Sequence, residues 1–379
     1  MKKTYLILLF NFVAATLLCI LCLGLFAKNF SSLNFAKFGS NKLNRTLPIT
    51  GFCSQGFEDF DIAINQFLTD RGFDGAELSV IKDGKFLIKR GYGWSDKNKT
   101  KILSPDDFLR IASLTKIFTI IAIKKLIQAN KISYDTPAIN FLGITKDILD
   151  ENINKINIAN LLLHQGGWNT NQSLDPLFSL GLVTTKLNKE SSNITPNDIL
   201  RYVVENTKLD FIPGTNTQYS NIGFTILGRI LEKATKTNYI QLINNLICKP
   251  ENIKVELGPV KLSDKSPTEI EFYKSNDLNL NNDSISLKAA DSTFGLITSA
   301  PFLCKILDKY WIDGDKKNSG EQRQLLQAGT LPGVMALARQ RYSGASIVIL
   351  INSRDNNNLE LDNIALQQLI DNMSNKCGI

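Results

Sequence analysis

The sequence predicts an α/β fold whose sheet is assembled from both ends of the chain, with helices inserted between. Three observations carry this. The stretch "AELSVIKDGKFLIKRGYGWSD" has two β-rich runs around Asp83-Gly84, a dipeptide suited to a tight turn with positive φ. Near the other end, "GVMALARQRYSGASIVILINSR" reads as two strands joined at Ser343-Gly344. Between them, from about Tyr134 to Ala290, several segments carry apolar residues at helical spacing. No internal repeat is visible. Strand-rich ends around a helical middle describe one α/β layer with a helical insertion.

The elements follow in order. Lys2-Lys3 precede a charge-free apolar run, Thr4 to Ala27, long enough to cross a bilayer as a helix. Residues 1–27 are therefore expected to be a signal anchor or a signal peptide. Bulky Leu25, two positions before Ala27, favours the uncleaved anchor, although Lys28, Lys37 and Lys42 after the span weaken the charge asymmetry. The expected location is outside the cytoplasm: membrane-anchored and facing the periplasm or cell exterior, or secreted if the signal is cleaved. A polar linker, 28–50, leads to the folded part, 51–379, with a helical subdomain at about 130–290. In an exported protein Cys53, Cys248, Cys304 and Cys377 are disulfide candidates, and four cysteines allow three pairings.

"FEDFDIAINQFLTDRG" reads as an amphipathic helix ending at Gly72. From Ser113 to about Ala129 the chain is apolar on almost every side, the mark of a central buried helix. "TPNDILRYVVEN" opens with a Thr195-Pro196 helix start, "NIGFTILGRILEKATKTNY" is another strong helix, and "LELDNIALQQLIDNM" closes the chain.

Composition excludes several chemistries. The 379 residues are 43% hydrophobic with a net charge of +7, and the basic residues form no stripe interleaved with aromatics, so no nucleic-acid partner is expected. A single histidine, His164, rules out a multi-histidine metal site. The cysteines have no metal-ligand spacing outside the N-terminal apolar run, so no metal and no cofactor is expected.

The pattern Ser-x-x-Lys occurs twice, as Ser79–Lys82 and Ser113–Lys116. Ser79 lies in an expected strand, where residues three apart face opposite ways. Ser113 and Lys116 lie on an expected helix, where they share a face. Only the second pair brings an amine beside a hydroxyl. A serine is a weak nucleophile until a base takes its proton, and a lysine with a lowered pKa serves. The plain alternative is a polar first turn with a solvated lysine.

Further segments weigh on that choice: "LLLHQGGW" (Leu161–Trp168), "PGTNTQYSN" (Pro213–Asn221) and "QAGTLPG" (Gln327–Gly333). In this order the four elements resemble the serine β-lactamase and penicillin-binding protein superfamily, in its class C-like branch of β-lactamases, D-alanyl-D-alanine carboxypeptidases, D-aminopeptidases and esterases. The resemblance runs from roughly Gly56 to Ser353. It implies a β-lactamase/transpeptidase-like fold, an antiparallel sheet flanked by helices plus an all-helical subdomain. It implies Ser113 as acylated nucleophile, Lys116 as proton holder, and Tyr219 as a phenolate base or a relay with Lys116. A phenolate would need its pKa lowered by neighbouring cations. Asn221, Gln327, Gly329 and Thr330 would bind the substrate, Asn221 at its carbonyl or amide side. The N–H groups of Ser113 and Thr330 would form the oxyanion hole. His164 is then expected to be a buried structural residue.

One position departs from the pattern. Gln327 stands where the family usually has Lys or His, so the cation that attracts a substrate carboxylate is missing. Arg339, Arg341 and Arg354 are candidates to replace it. The expected function is a serine hydrolase cleaving an amide or ester in a small molecule or peptide, with cell-wall peptides as one class and efficient β-lactam hydrolysis ranked last. The alternative is a catalytically silent binding or scaffold protein on the same fold.

Overall fold

Period-two alternation of side-chain direction assigns the two faces of the main sheet. The computed structural model describes residues 46–170, 172–261, 263–272 and 284–379. The apolar run 4–27 and the linker up to residue 45 lie outside these residues. Among the described residues no helix is long and apolar enough to cross a membrane. Strands β1 (Ile49–Cys53), β2 (Gly75–Lys82) and β3 (Lys85–Gly93) come first, with helix α1 (Glu58–Asp70) between β1 and β2. β4 (Leu109–Arg110) leads to the long α2 (Thr115–Gln128). Then follow α3 (Ala138–Leu142), α4 (Ile158–Leu162), α5 (Leu180–Leu187), α6 (Pro196–Asn206), α7 (Asn221–Thr235) and α8 (Tyr239–Ile243). After β5 (Glu256–Leu257) and β6 (Leu296–Thr298), α9 (Ala300–Lys309) returns the chain to the sheet. β7 (Leu325–Leu331), β8 (Val334–Gln340), β9 (Ser346–Ile351) and α10 (Leu359–Lys376) finish it.

The six-stranded sheet has the order β1-β3-β2-β9-β8-β7, antiparallel throughout. Strands from both ends meet where β2 pairs β9, Ala76 opposite Ile351. Alternation then sorts side chains. Met335, Leu337, Ile347 and Ile349 pack with Phe60, Ile64, Leu366 and Ile370 of α1 and α10. Their neighbours Ala336, Ala338, Val348 and Leu350 join the core of α2, α7 and α9 on the other face. A small second sheet, β4-β6-β5, sits beside that core and carries the chain toward Ser113.

The expected turns have the backbone their residues suggested. Asp83 and Gly84 both take positive φ, +51° and +76°. α2 buries Ile117, Phe118, Ile121, Ala122, Ile123 and Leu126, as an all-apolar helix must. Thr195 caps α6 reciprocally with Asp198, and Pro196 occupies the first helical turn. The disulfide expectation is corrected. All four described cysteines are free thiols, and Cys248 and Cys304 are buried apart in the core with their pKa pushed up to about 12 by burial.

One buried carboxyl makes stability depend on pH. Glu77 of β2 is fully buried, its Oε2 accepting from Ala300 N–H at 2.6 Å at the start of α9. Burial holds its pKa well above the usual carboxyl range. The folded chain therefore keeps a proton that the unfolded chain loses above about pH 4.3. Stability from this group is full below that pH and declines as pH rises toward the folded pKa. Glu77→Gln is expected to raise the melting temperature by a few degrees at pH 8 and leave it nearly unchanged at pH 4. Thermal melts of both forms across that range check this.

Candidate active site

β4 delivers the chain to a strained turn. Buried Ala112 takes φ +47°, and a 3-10 turn, Ala112–Leu114, precedes α2. For a non-glycine residue this left-handed conformation costs roughly 1–2 kcal/mol. Ser113 thus sits one turn before the α-helix and not within it, while Lys116 is the second helical residue. Three-residue spacing still brings them together, with Lys116 Nζ 3.3 Å from Ser113 Oγ. Ser79 and Lys82 lie in strand β2 as expected, with Ser79 fully buried.

Lys116 is 2% exposed. Its amine donates to Asn221 Oδ1 at 2.8 Å and to the Thr293 carbonyl at 3.1 Å. Burial lowers its pKa to about 7, opposed by the charge of Asp175. The rings of Tyr219 and Phe224 lie 4.9 and 5.5 Å from the amine. A lysine held this way gives up its proton far more readily than a solvated one.

Tyr219 and Asn221 flank the start of α7. The Tyr219 hydroxyl donates to Ser113 Oγ at 2.8 Å. Burial raises its pKa well above the phenol range, and only its bond to Ser113 opposes that. The residue is 43% exposed, so water beside it tempers the rise. Burial, the largest cause, favours the neutral phenol over the phenolate, which suits the relay with Lys116 that the resemblance also implied. Asn221 donates its Nδ2–H to Asp175 Oδ2 at 2.7 Å.

His164 is half-buried instead of fully buried. Its Nδ1 accepts from Ser220 N–H at 3.2 Å, and its ring lies 4.7 Å from that of Tyr219. Burial, then the charge of Lys116, lowers its pKa to about 3, so it is neutral with its proton on Nε2. The loop containing it is joined to the Tyr219 loop by backbone bonds, Gln218 N–H to the His164 carbonyl and Gly214 N–H to the Gln165 carbonyl, both 2.9 Å. The motif around His164 holds the Tyr-Ser-Asn segment in place.

β7 forms the opposite wall. A Cβ on Gly329 would lie 2.8 Å from Ser113 N and 3.1 Å from Ala112 Cβ, so only glycine lets the strand approach the nucleophile turn. Thr330 follows directly on the same strand. Gln327 is half-buried and its amide donates to the Ala328 carbonyl at 2.9 Å. Two of the expected replacement cations, Arg339 and Arg341, are elsewhere. Arg339 pairs in register with Leu326, which packs toward α1 and α10, and it makes a bidentate bond with Asp371 of α10 at 2.9 and 2.7 Å. Arg341 binds the same Asp371 and Asn375. Alternation puts both on the sheet face opposite Gln327. Arg354 follows β9 and donates to Asn356.

Ser113, Lys116, Tyr219 and Asn221 thus form one bonded cluster, and Gly329 abuts it. Sequence reasoning missed Asp175, the Thr293 carbonyl and strained Ala112. Asp175 stands before a proline in an ordinary turn signal, and nothing in its spacing links it to Ser113. Among the described residues no group of three or more His, Cys, Asp or Glu side chains has metal-holding geometry.

Comparison with known proteins follows the same lines. The Beta-lactamase family matches residues 60–348. "Protein flp" of Staphylococcus aureus (strain COL) is 28% identical over 193 residues, covering 51% of this chain and 36% of that protein. A "Putative D-alanyl-D-alanine carboxypeptidase" of Salmonella heidelberg (strain SL476) is 27% identical over 215 residues, covering 54% and 48%. The matched region therefore spans between a third and a half of these relatives. Among solved structures, the D-amino acid amidase of Ochrobactrum anthropi SV3 superposes with a TM-score of 0.65 at 18% identity, covering 84% of this chain and 99% of that one. The octameric penicillin-binding protein homologue of Pyrococcus abyssi gives 0.61 at 18% identity, covering 82% and 77%. At such identity these likenesses speak for the fold alone.

Proposed function

We propose a function from the premise that the chain belongs to the Beta-lactamase family: it is a serine hydrolase that cleaves amide bonds through an acyl-enzyme at Ser113. One observation carries the reading. Ser113 Oγ lies 2.8 Å from the Tyr219 hydroxyl and 3.3 Å from a buried amine whose pKa is brought to about 7. Neutral Lys116 takes the proton of Ser113 as Oγ attacks the carbonyl carbon. The N–H groups of Ser113 and Thr330 hold the oxyanion. As the C–N bond breaks, the Tyr219 phenol gives its proton to the leaving amine, and the Lys116 ammonium restores it. Water then hydrolyses the ester. Asn221 binds the amide side of the substrate while its Oδ1 holds Lys116.

The preferred substrate is a small amide or peptide without a carboxylate beside the scissile bond. Gln327 brings no cation to that position, and Arg339 and Arg341 are engaged with α10. The names of the fold neighbours, D-amino acid amidase and D-stereospecific amidohydrolase, fit an amide of a D-amino acid. The N-terminal apolar run adds export to this proposal, so a substrate outside the cytoplasm.

Gel labelling of the full-length protein tests the reading, with Ser113→Ala as control. A fluorescent fluorophosphonate is expected to label the wild type and not the variant. Weak or absent labelling by a fluorescent penicillin is expected to accompany it. Strong Ser113-dependent penicillin labelling would restore a carboxylate-bearing substrate, and labelling by neither probe would favour the silent scaffold.

A further inference from the structure

We infer that Asp175 is the positioning residue of this site: its buried carboxylate sets which way the Asn221 amide points, and so presents an acceptor and never a donor to the Lys116 amine. The inference rests on the hydrolase reading of the cluster. An amide's oxygen and nitrogen ends have nearly the same shape, so neighbours must choose between the orientations. Asn221 is 4% exposed and water cannot make that choice. On one side stands Lys116 Nζ, 2.8 Å from Oδ1, and on the other Asp175 Oδ2, 2.7 Å from Nδ2. Burial raises the Asp175 pKa, opposed by the hydrogen bonds from Asn221 and Leu177 and by the charge of Lys116; as a carboxylate it only accepts hydrogen bonds, so it fixes the NH2 end toward itself. The reversed amide would set NH2 against the lysine's own protons and oxygen against oxygen. Asp175 is 8% exposed, and its second oxygen accepts Leu177 N–H at 2.9 Å, so it is anchored independently of Asn221.

Asp175 also stands apart by charge among the groups packed around Lys116. The nucleophile turn offers the hydroxyl of Ser113. The start of α7 offers the neutral phenol of Tyr219 and the Asn221 amide. The loop after α4 offers neutral His164, and the segment before β6 offers the Thr293 carbonyl. The carboxylate of Asp175 is the charge that favours the ammonium form. Loss of that charge moves Lys116 toward still easier deprotonation.

The test is the pH dependence of fluorophosphonate labelling at Ser113 in wild type and Asp175→Asn, with thermal melts to count folded protein. The wild-type rate is expected to rise with pH through a midpoint near 7. In Asp175→Asn the midpoint is expected to move to lower pH by about half a unit or more, and the plateau to fall about tenfold as Asn221 loses its fixed orientation. A variant with an unchanged midpoint and an unchanged rate per folded molecule overturns the inference. So does a slower plateau without any shift, which marks a merely structural residue. Should Asp175→Asn not fold, Asp175→Ser is measured in its place. Wild type that resists labelling defeats the hydrolase reading separately. Carbon-detected NMR titration of the Lys116 side chain then decides, and an unmoved Lys116 pKa in the variant overturns the role of Asp175.

Discussion

Lys116→Met is expected to slow acylation of Ser113 by roughly 10³-fold while leaving the fold intact. A positioned general base contributes about 10²–10⁴-fold, and methionine keeps the buried stem without an amine to take the proton. Wild type should gain activity as pH rises through about 7, because neutral Lys116 is the working form. The variant's residual activity should lack that limb. Stability from this group also rises with pH. The folded pKa of Lys116 lies below its value in the unfolded chain, so the unfolded chain holds the extra proton between about pH 7 and 10.5. Wild-type stability from this group therefore rises across that window and is lost as pH falls to 7. The full difference is on the order of 4–5 kcal/mol. Lys116→Met removes the rise, although Asn221 Oδ1 and the Thr293 carbonyl then lack a donor and return about 1–3 kcal/mol of it. Melting temperatures at pH 6 and pH 9, alongside labelling rates, check both halves. A variant that kept wild-type labelling would remove Lys116 from the mechanism.

Gly329→Val is expected to cost about 10²–10³-fold in turnover with wild-type secondary structure. Its Cβ would meet backbone, Ser113 N at 2.8 Å and the Ile111 carbonyl at 3.1 Å, and neither can swing aside as a side chain does. β7 must back away from the nucleophile turn. That separates the N–H groups of Ser113 and Thr330, and loss of one oxyanion donor carries a penalty of this size. Circular dichroism with steady-state kinetics distinguishes this from unfolding. The expected signature is a fall in kcat with little change in KM, since the oxyanion forms only in the transition state.

Much of this cluster was legible because its chemistry is local. Ser113 and Lys116 are three apart near a helix start, and Tyr219-Ser220-Asn221 spans the start of α7. What was left open or misread concerned charge. Whether Tyr219 is a phenolate depends on burial and on the cations around it, and those come from segments more than a hundred residues away. Arg339 and Arg341 appeared available because strand alternation says nothing of which face meets the site until the sheet order is known.

The sequence by itself determined the element order, the strand-rich ends, the buried helix behind Ser113 and the family. Those follow from periodicity, turn residues and short motifs, all properties of neighbouring positions. Only the tertiary structure decided that Asp175 stands behind Asn221, that the Thr293 carbonyl holds Lys116, and that Arg339 and Arg341 belong to α10. The reason is physical. A pKa and a hydrogen-bond orientation are set by everything within a few ångströms, and in this fold those neighbours arrive from the turn after β4, the loop before α5, the start of α7, the segment before β6 and strand β7 together.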